Sequence, residues 1–546
     1  MTSVFSRNAC VAAVVAITVG GRASVAEGQG HQEHALVAVD FLISCSKEAQ
    51  AEFNRAVALL HHMTYPRARE GFQRVAQIDP RCAMAHWGFA MTLFQPLWPT
   101  RPSLPERRQG WEAVQTALQI APTSERERIL LDAVAAFFRE PESADYWQRI
   151  RLWEQAMARA YTAYPNDPEV TAFYALAHIA SAPPSDDSVA THSARAAELL
   201  LEVYKQNPSH PGAMHYLVHA NDAPGRERSS LDVTQRYEAS APRNPHALHM
   251  PTHIYTRLGD WGAVVRGNLL AAEAALEHPA GNRGQYVWDE FPHAIEYVVY
   301  AYLQQGADLE AAAQLKRLHE TPQLEPTFKT AFHLASTRAR YTLERRAWRE
   351  AASLIPREAQ GLDWDRFTWP EAVTWFAKGL GAARELRTDE ARVSVDRLAA
   401  LGEKARAAGE DLWARNIRVL ELEVRVWLAY AEGDEAFSLG LAREAAELES
   451  STPKHSVTPG PILPAHELWA DLLLEQRHTA DALAMYRTSL ELYPKRFNSL
   501  IGAARAAAAT GDAVTAREYY HELLTVAVGS GRREELEEAR RFTAGR

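Results

Sequence analysis

Residues 479–520 read TADALAMYRTSLELYPKRFNSLIGAARAAAATGDAVTAREYY. Apolar positions recur at three- and four-residue intervals on either side of Tyr493-Pro494 and Thr510-Gly511-Asp512, the pattern of amphipathic helices broken by turns. Ala516 and Tyr520 stand 34 residues beyond Ala482 and Tyr486, and a period of that length in a helical sequence marks a helix-turn-helix repeat. Near the start, Tyr65, Ala68, Phe72 and Pro80 keep the same relative spacing, with Ala68 and Phe72 standing to Pro80 as Ala482 and Tyr486 stand to Pro494. In the middle, Pro208 and Pro242 are again 34 apart, and Gly259, Gly306 and Gly511 fall where two helices would meet. A small residue lets the second helix approach the first, and a large one fills the gap to the next repeat. One such repeat cannot bury its apolar face alone, so repeats must stack. Strand signals are almost missing.

These positions resemble those of the tetratricopeptide repeat (TPR), which implies an all-α, right-handed superhelical solenoid whose first helices line a concave face. The expected organisation is a signal peptide over 1–26, an N-terminal array over 41–328 with a histidine-rich concave face, degenerate helical repeats over 329–450, a Pro-rich connector over 451–464, and C-terminal repeats over 465–546. Trp348, Trp375, Trp413 and Trp427 are expected to pack between helices, the ordinary place for such side chains.

The chain of 546 residues carries 59 basic and 69 acidic side chains, a net charge of -10, with the basic residues scattered. That balance offers no nucleic-acid footprint. Arg7, a short apolar run over 9–21 and the small residues Ser24-Val25-Ala26 read as a secretion signal cleaved near Ala26, placing the protein in the periplasm or outside the cell. The run is shorter than the roughly 20 residues a membrane-spanning helix needs, and no later stretch supplies them. Cys45 and Cys82 remain in the mature chain, each just before the first helix of adjacent repeats. In an oxidising compartment they permit a disulfide.

With the TPR phase set by Pro208, Gly259 and Gly306, inward-pointing positions fall on His215 and His219 in one repeat and on His249 and His253 in the next. The third places His293, Glu296 and Tyr300 inward, and Asp222 closes the first. Trp87 and His61 are expected on the same groove. Residues four apart on a helix lie about 5–6 Å apart at Cβ, and packed helices are about 8–10 Å apart, so four imidazoles from two helices can converge. Such a set, with Glu296 or Asp222 as a further ligand or a base, suits one transition metal ion: zinc, copper, iron or nickel. Neither His215-Tyr216-Leu217-Val218-His219 nor His249-Met250-Pro251-Thr252-His253 contains the glutamate of the zinc-protease motif. A lone helical histidine is ordinarily a satisfied structural residue; the shared phase is what sets these apart. Metal binding, recognition of an organic or peptide ligand, and a structural polar seam all remain open. Pro251 should distort the helix between His249 and His253. His61-His62 reads as a helix-terminal polar pair, Lys454-His455 with Thr458-Pro459-Gly460-Pro461 and His466-Glu467 as a rigid linker, and 278–291, with Trp288, Asp289 and Glu290, as a rim loop.

The segments Cys82-Ala83-Met84-Ala85-His86-Trp87-Gly88, His215 to Ala220, His249 to Ile254 and Lys454 to Pro461 resemble those of a group of exported bacterial TPR proteins, over about Phe41 to Leu524. The resemblance implies the fold and export and carries no activity. Asn221 before Asp222 stands where an aromatic residue is expected, and Gln95 before Pro96-Leu97-Trp98 where a histidine is usual. Two functions follow. One is a scaffold holding a protein, peptide or small-molecule ligand in its concave groove. The other is a metalloprotein or metal-dependent enzyme with its histidine site between adjacent repeats. No Ser-His-Asp order, P-loop or dinucleotide fingerprint supports a further class, and no catalytic residue is assigned.

Overall fold

The computed structural model describes residues 39–545 apart from 99–100, 121, 123, 144, 184–185, 282 and 529–531, and apart from the side chains of 186 and 187. The signal peptide expected over 1–26 lies outside the described residues.

Helix boundaries follow the punctuation of the sequence. Ser46 starts the helix Lys47–His61 by accepting the Ala49 N–H on its hydroxyl. Asp167, His210 and Asn244 each cap a helix that opens on proline: Pro168–Ala180, Pro211–Asn221 and Pro245–His249. Proline there gives up an N–H that has no intrahelical partner anyway. Gly259 and Gly306 end their helices at φ of +64° and +67°, a backbone that L side chains rarely adopt.

The helices run in consecutive antiparallel pairs. In chain order they are Lys47–His61 with Tyr65–Ile78, Ala83–Met91 with Leu104–Ile120, Glu125–Phe138 with Tyr146–Ala163, and Pro168–Ala180 with Asp186–Gln206. Next come Pro211–Asn221 with Leu231–Ser240, the broken helix Pro245–His249/Pro251–Leu258 with Trp261–Leu276, Glu290–Gln304 with Asp308–Glu320, and Phe328–Leu343 with Trp348–Ala352. Thr368–Arg384 with Thr388–Ala407, Asp411–Ala431 with Glu435–Ser450, Ala465–Glu475 with Thr479–Leu492, and Phe497–Ala509 with Ala513–Val526 complete the pairs before a last helix, Glu534–Thr543. Among the described residues there is no strand, only the isolated bridges Ala280–Tyr286 and Val287–Leu324. The fold is therefore all-α, built of TPR-type superhelical repeats.

The repeat contact is visible at both ends. A Cβ on Gly88 would meet the Phe72 ring at 2.2 Å, and a Cβ on Gly502 would meet the Tyr486 ring at 2.2 Å. Large residue and glycine are sixteen positions apart in each case, so the same close approach recurs in two repeats. Trp413 and Trp427 are buried in the core that runs from Phe328 to Leu472, and Trp348 and Trp375 pack against it.

One expectation of organisation changes. The helix Phe328–Leu343 begins at the boundary placed at 328/329. The connector, however, does not merely separate two arrays. Its Ser456 hydroxyl donates to the Leu97 carbonyl at 3.0 Å, Lys454 pairs with Asp222 at 2.7 Å, and Arg340 donates to the carbonyls of Gly460 and Pro461, both at 2.6 Å. It is a strap drawn across the inner face. Beyond it the chain returns to earlier repeats: Trp261 Nε1 donates to the Lys495 carbonyl at 3.0 Å, Arg496 to the Tyr300 hydroxyl at 2.8 Å, and the Phe497 N–H to Gln304 at 2.9 Å. Strap and returning repeats fill the face that an open TPR groove would leave to solvent.

Cys45 and Cys82 are joined, with Cα atoms 5.2 Å apart and a separation of 37 positions in sequence. Because the link ties the N-terminal segment to the second repeat, the variant C45S/C82S should lose about 3–4 kcal/mol of stability in the chain-entropy picture. Its denaturant midpoint, compared with the oxidised parent, checks this; equal midpoints would contradict it.

Candidate metal centre

Proline 251 has no N–H, so the helix that begins at Pro245 breaks at Met250 and resumes at Pro251. The break falls between His249 and His253, as the sequence implies. His246, His249 and His253 occupy positions i, i+3 and i+7, one face of the segment. On neighbouring helices, His215 and His219 project from Pro211–Asn221 and His293 from Glu290–Gln304. The six rings form one cluster: centroids are 4.8 Å apart for His215 and His246, 4.2 Å for His249 and His293, and 6.1 Å both for His219 and His253 and for His246 and His249. All but His219, which is half-buried, are buried.

Within the cluster two triads bring one ring nitrogen each to within 4.8 Å of the others: His215, His219 and His246, and His249, His253 and His293. In the first, the Nε2 atoms of His215 and His246 face each other at 3.1 Å. In the second, those of His249 and His253 face each other at 2.9 Å. The Nε2 atoms of His219 and His293 are shielded from solvent and have no hydrogen-bond partner among the described residues. Each triad therefore holds one facing pair and one orphan.

The opposite edges of the rings fix the protons. His215 Nδ1 donates to the backbone carbonyl of His61 at 2.6 Å, and His246 Nδ1 to Glu290 at 3.2 Å. His249 Nδ1 donates to Asn268 Oδ1 at 2.6 Å; the Asn268 amide is oriented by its own donation to the Val264 carbonyl at 2.9 Å. His253 Nδ1 donates to Asp222 at 2.8 Å. His293 Nδ1 donates to His333 Nε2 at 2.9 Å, and His333 Nδ1 passes the chain on to Glu296 at 2.5 Å. A neutral imidazole has one N–H. With it directed outward at Nδ1, each of these five rings turns an Nε2 lone pair inward.

Electrostatics keep His215, His219, His249, His253 and His293 neutral. Burial, reinforced by neighbouring histidines, pushes His215, His219, His249 and His293 well below the usual histidine range. Burial and the Lys454 ammonium bring His253 down to about 4. The outer carboxylates behave oppositely. Burial works to raise Asp222, but Lys454, Arg257 and His253 outweigh it and hold it well below the carboxylate range. Glu290 is likewise lowered against its burial, by Lys329 and His246. Neutral rings backed by ionised carboxylates are the arrangement that orients metal-bound histidines and raises their basicity.

The strap is tied to this outer layer twice. Lys454 holds Asp222, which holds His253; Arg340, bonded to the strap at Thr458, Gly460 and Pro461, holds Glu296 at 2.9 Å, which holds His333 and through it His293. Trp98, three residues beyond Gln95, covers the other side, its ring 5.1 Å from His246 and 5.8 Å from His293, with the Lys329 ammonium 4.0 Å above it.

The structure thus brings His215, His219, His249, His253 and His293 together. It sets Asp222 and Glu296 one layer out, where they accept from histidines. Sequence spacing passes over His246, His333 and Glu290. Three groove assignments need correction. Trp87 is buried among Phe41, Phe53, Phe72 and Phe173, because the large residue is required between repeats. Tyr300 is 2% exposed beneath Arg340 and Arg496. His61 is buried rather than a helix-terminal surface group. It joins Glu169 and His210 in a third histidine-carboxylate set. There His210 Nδ1 accepts the Ala213 N–H at 3.1 Å, so its proton sits on Nε2, 3.3 Å from a Glu169 oxygen but without a hydrogen bond to it. His61 Nε2 donates to Glu169 at 2.7 Å, and its Nδ1 accepts from the Tyr216 hydroxyl at 3.1 Å. That set has both ring lone pairs engaged, at His210 Nδ1 and His61 Nδ1, and leaves none in want of a cation.

No family model matches the chain, and no curated protein matches it in sequence. Among solved structures, the human IFIT1 dimer with m7Gppp-AAAA is similar over 81% of this chain and 90% of its own, at 12% identity and a TM-score of 0.36. The APC/C hetero-tetramer Cut9-Hcn1 is similar over 90% of this chain and 90% of its own, at 13% identity and a TM-score of 0.31. Likeness at that level assigns neither ligand nor partner to this chain. No described helix is long and apolar enough to cross a membrane.

A histidine whose folded pKa is lowered is neutral in the folded protein and charged in the unfolded chain between the two values, so stability falls as pH drops through that window. For these rings the window opens at the unperturbed value of about 6.5 and reaches about 4 for His253. The cluster's contribution to the stability of chelator-treated protein should therefore fall between pH 7.5 and pH 5, so that the stability of the parent drops more, or rises less, over that range than that of the variant H249N/H293N. Denaturant titrations of both proteins at the two pH values test this, and an equal pH dependence would contradict the neutral cluster.

Proposed function

We propose that this protein is a transition-metal protein in which each of the two histidine triads holds one ion. The observation that supports it best is the facing of Nε2 lone pairs at 2.9 and 3.1 Å while every Nδ1 of those pairs is already engaged outward. Two lone pairs at that distance repel unless a cation lies against both. A proton would serve chemically, but burial disfavours the imidazolium it would create. A metal ion fits the spacing: at the usual zinc–nitrogen distance of about 2.05 Å, such separations correspond to N–metal–N angles of about 90–98°. The orphaned Nε2 atoms of His293 and His219 supply the third donor of each set.

All-imidazole, neutral donors suit zinc, copper, iron or nickel and disfavour magnesium or calcium, which take oxygen ligands. Three nitrogens leave each ion room for an exchangeable ligand, the property on which Lewis-acid or redox chemistry draws. The TPR-type scaffold contributes rigidity: the rings sit on three packed helices, and their outer acceptors come from further helices and the strap. The burial of these same rings disfavours a peptide held against them, which is why the metal reading takes precedence over a peptide groove. The Cys45–Cys82 bridge suits an oxidising compartment, and with the secretion signal read at the N-terminus it supports action in the periplasm or outside the cell.

Protein purified without an affinity tag should carry, or take up after chelation, about two equivalents of one of these metals by elemental analysis. Substituting His249→Ala should remove about one equivalent while leaving helical content unchanged, and His215→Ala should remove the other. Less than about a tenth of an equivalent bound by the parent, with none taken up, would end the proposal.

A further inference from the structure

Between the strap and the helices beyond it lies a cavity of about 220 Å³. Phe332, Trp369, Leu420, Ile462 and Tyr493 give it apolar and aromatic walls, and Glu423 and Glu449 reach it from the helices Asp411–Ala431 and Glu435–Ser450. Glu423 is 0% exposed, and neither of its carboxyl oxygens has a hydrogen-bond partner among the described residues. Glu449 accepts the Ala465 N–H on both oxygens, at 3.1 and 3.2 Å. A buried polar group without a partner is costly to fold, and a buried carboxyl more so. Packing alone would be better served at position 423 by an apolar residue, and Glu423 fills no structural hydrogen bond.

The basic side chains at the cavity do not answer it. Lys454 and Arg257 both line the wall, yet both are turned to Asp222, at 2.7 and 2.9 Å. Arg496 is bound between Glu344 and Glu467, both at 2.9 Å. The end of the cavity at Glu423 and Glu449 is therefore carboxyl-lined and aromatic-walled; the Arg496 charge reaches Glu449, but no cationic side chain of the protein answers Glu423.

We propose that this cavity is a binding site for a small organic cation, an amine with an apolar body, whose ammonium group pairs with Glu423 and whose body lies against Trp369 and Phe332. An inorganic cation would want a shell of several oxygens; here two carboxyl groups face aromatic and aliphatic walls, which match an alkyl- or arylammonium ion through charge and cation–π attraction together. Burial and the neighbouring Glu449 and Glu467 raise the Glu423 carboxyl well above its usual range. The unfilled site thus holds an acid, and the arriving cation makes the carboxylate favourable. The site shares Lys454 and Arg257 with the wall behind Asp222, but it does not depend on metal in the histidine cluster.

Titration calorimetry of the full chain against n-butylamine, benzylamine and 2-phenylethylamine, each paired with the alcohol that replaces its amino group, and against 3-phenylpropionate, tests this. At least one amine should bind saturably and about tenfold or more tighter than its alcohol, and Glu423→Gln should weaken that amine by about tenfold or more with metal content unchanged. The amine–alcohol comparison on the parent protein stands even if the variant fails to fold. Absence of binding by all three amines, equal binding of the alcohols, preference for the carboxylate, or an unchanged affinity in folded Glu423→Gln would each overturn the proposal.

Discussion

Everything particular to this molecule depends on where five of the six clustered imidazole rings keep their single proton. Outer acceptors (a backbone carbonyl, an asparagine, carboxylates and another histidine) take the Nδ1–H of His215, His246, His249, His253 and His293, so lone pairs gather at the centre. In water such rings would titrate near neutrality and drift apart. Buried, they are held by these partners, and the carboxylates among them are ion-paired in turn: Asp222 by Lys454 and Arg257, Glu290 by Lys329, Glu296 by Arg340. Removing one outer charge frees a ring and leaves its partner buried without compensation, so the centre stands as a unit.

The repeat architecture explains how so much polar chemistry is tolerated at low solvent exposure. Stacked helix pairs bring first helices side by side at a fixed separation, so residues on one face of successive repeats meet by construction. The proline break at Pro251 lets the middle segment adjust while keeping three histidines on one face. The strap then supplies what the repeats lack, a lid tied to the outer layer by its own Lys454 and by Arg340 of the helix Phe328–Leu343. The same strap roofs the apolar cavity at Glu423. Histidine cluster and cavity thus lie on either side of Asp222, Arg257 and Lys454, one built from lone pairs and the other from an uncompensated acid.

Much of the framework is legible in the sequence. The spacing of Ala482, Tyr486 and Pro494, repeated at Ala68, Phe72 and Pro80, identifies the helix pairs, and the repeat phase singles out five of the six histidines that lie together. His246 escapes because the spacing argument seeks pairs four apart, whereas it stands three before His249 and seven before His253. His333 escapes because the helix Phe328–Leu343 lacks the repeat's marker residues, so its register cannot be set from a consensus. The strap is the larger surprise: proline and glycine at 459–461 read as a linker, and only three-dimensional contacts reveal that Arg340 fixes those carbonyls. Trp87 shows the reverse error, since a large aromatic in a marked segment invites a role in binding when it is filling the space between repeats.

X-ray absorption at the metal edge of protein isolated without a tag bears most directly on the centre. A histidine-only centre predicts a first shell of nitrogen at about 2.0–2.1 Å with the outer-shell scattering of imidazole and no sulfur. A spectrum dominated by oxygen or sulfur ligands, or a protein with no metal edge under any loading condition, would contradict it.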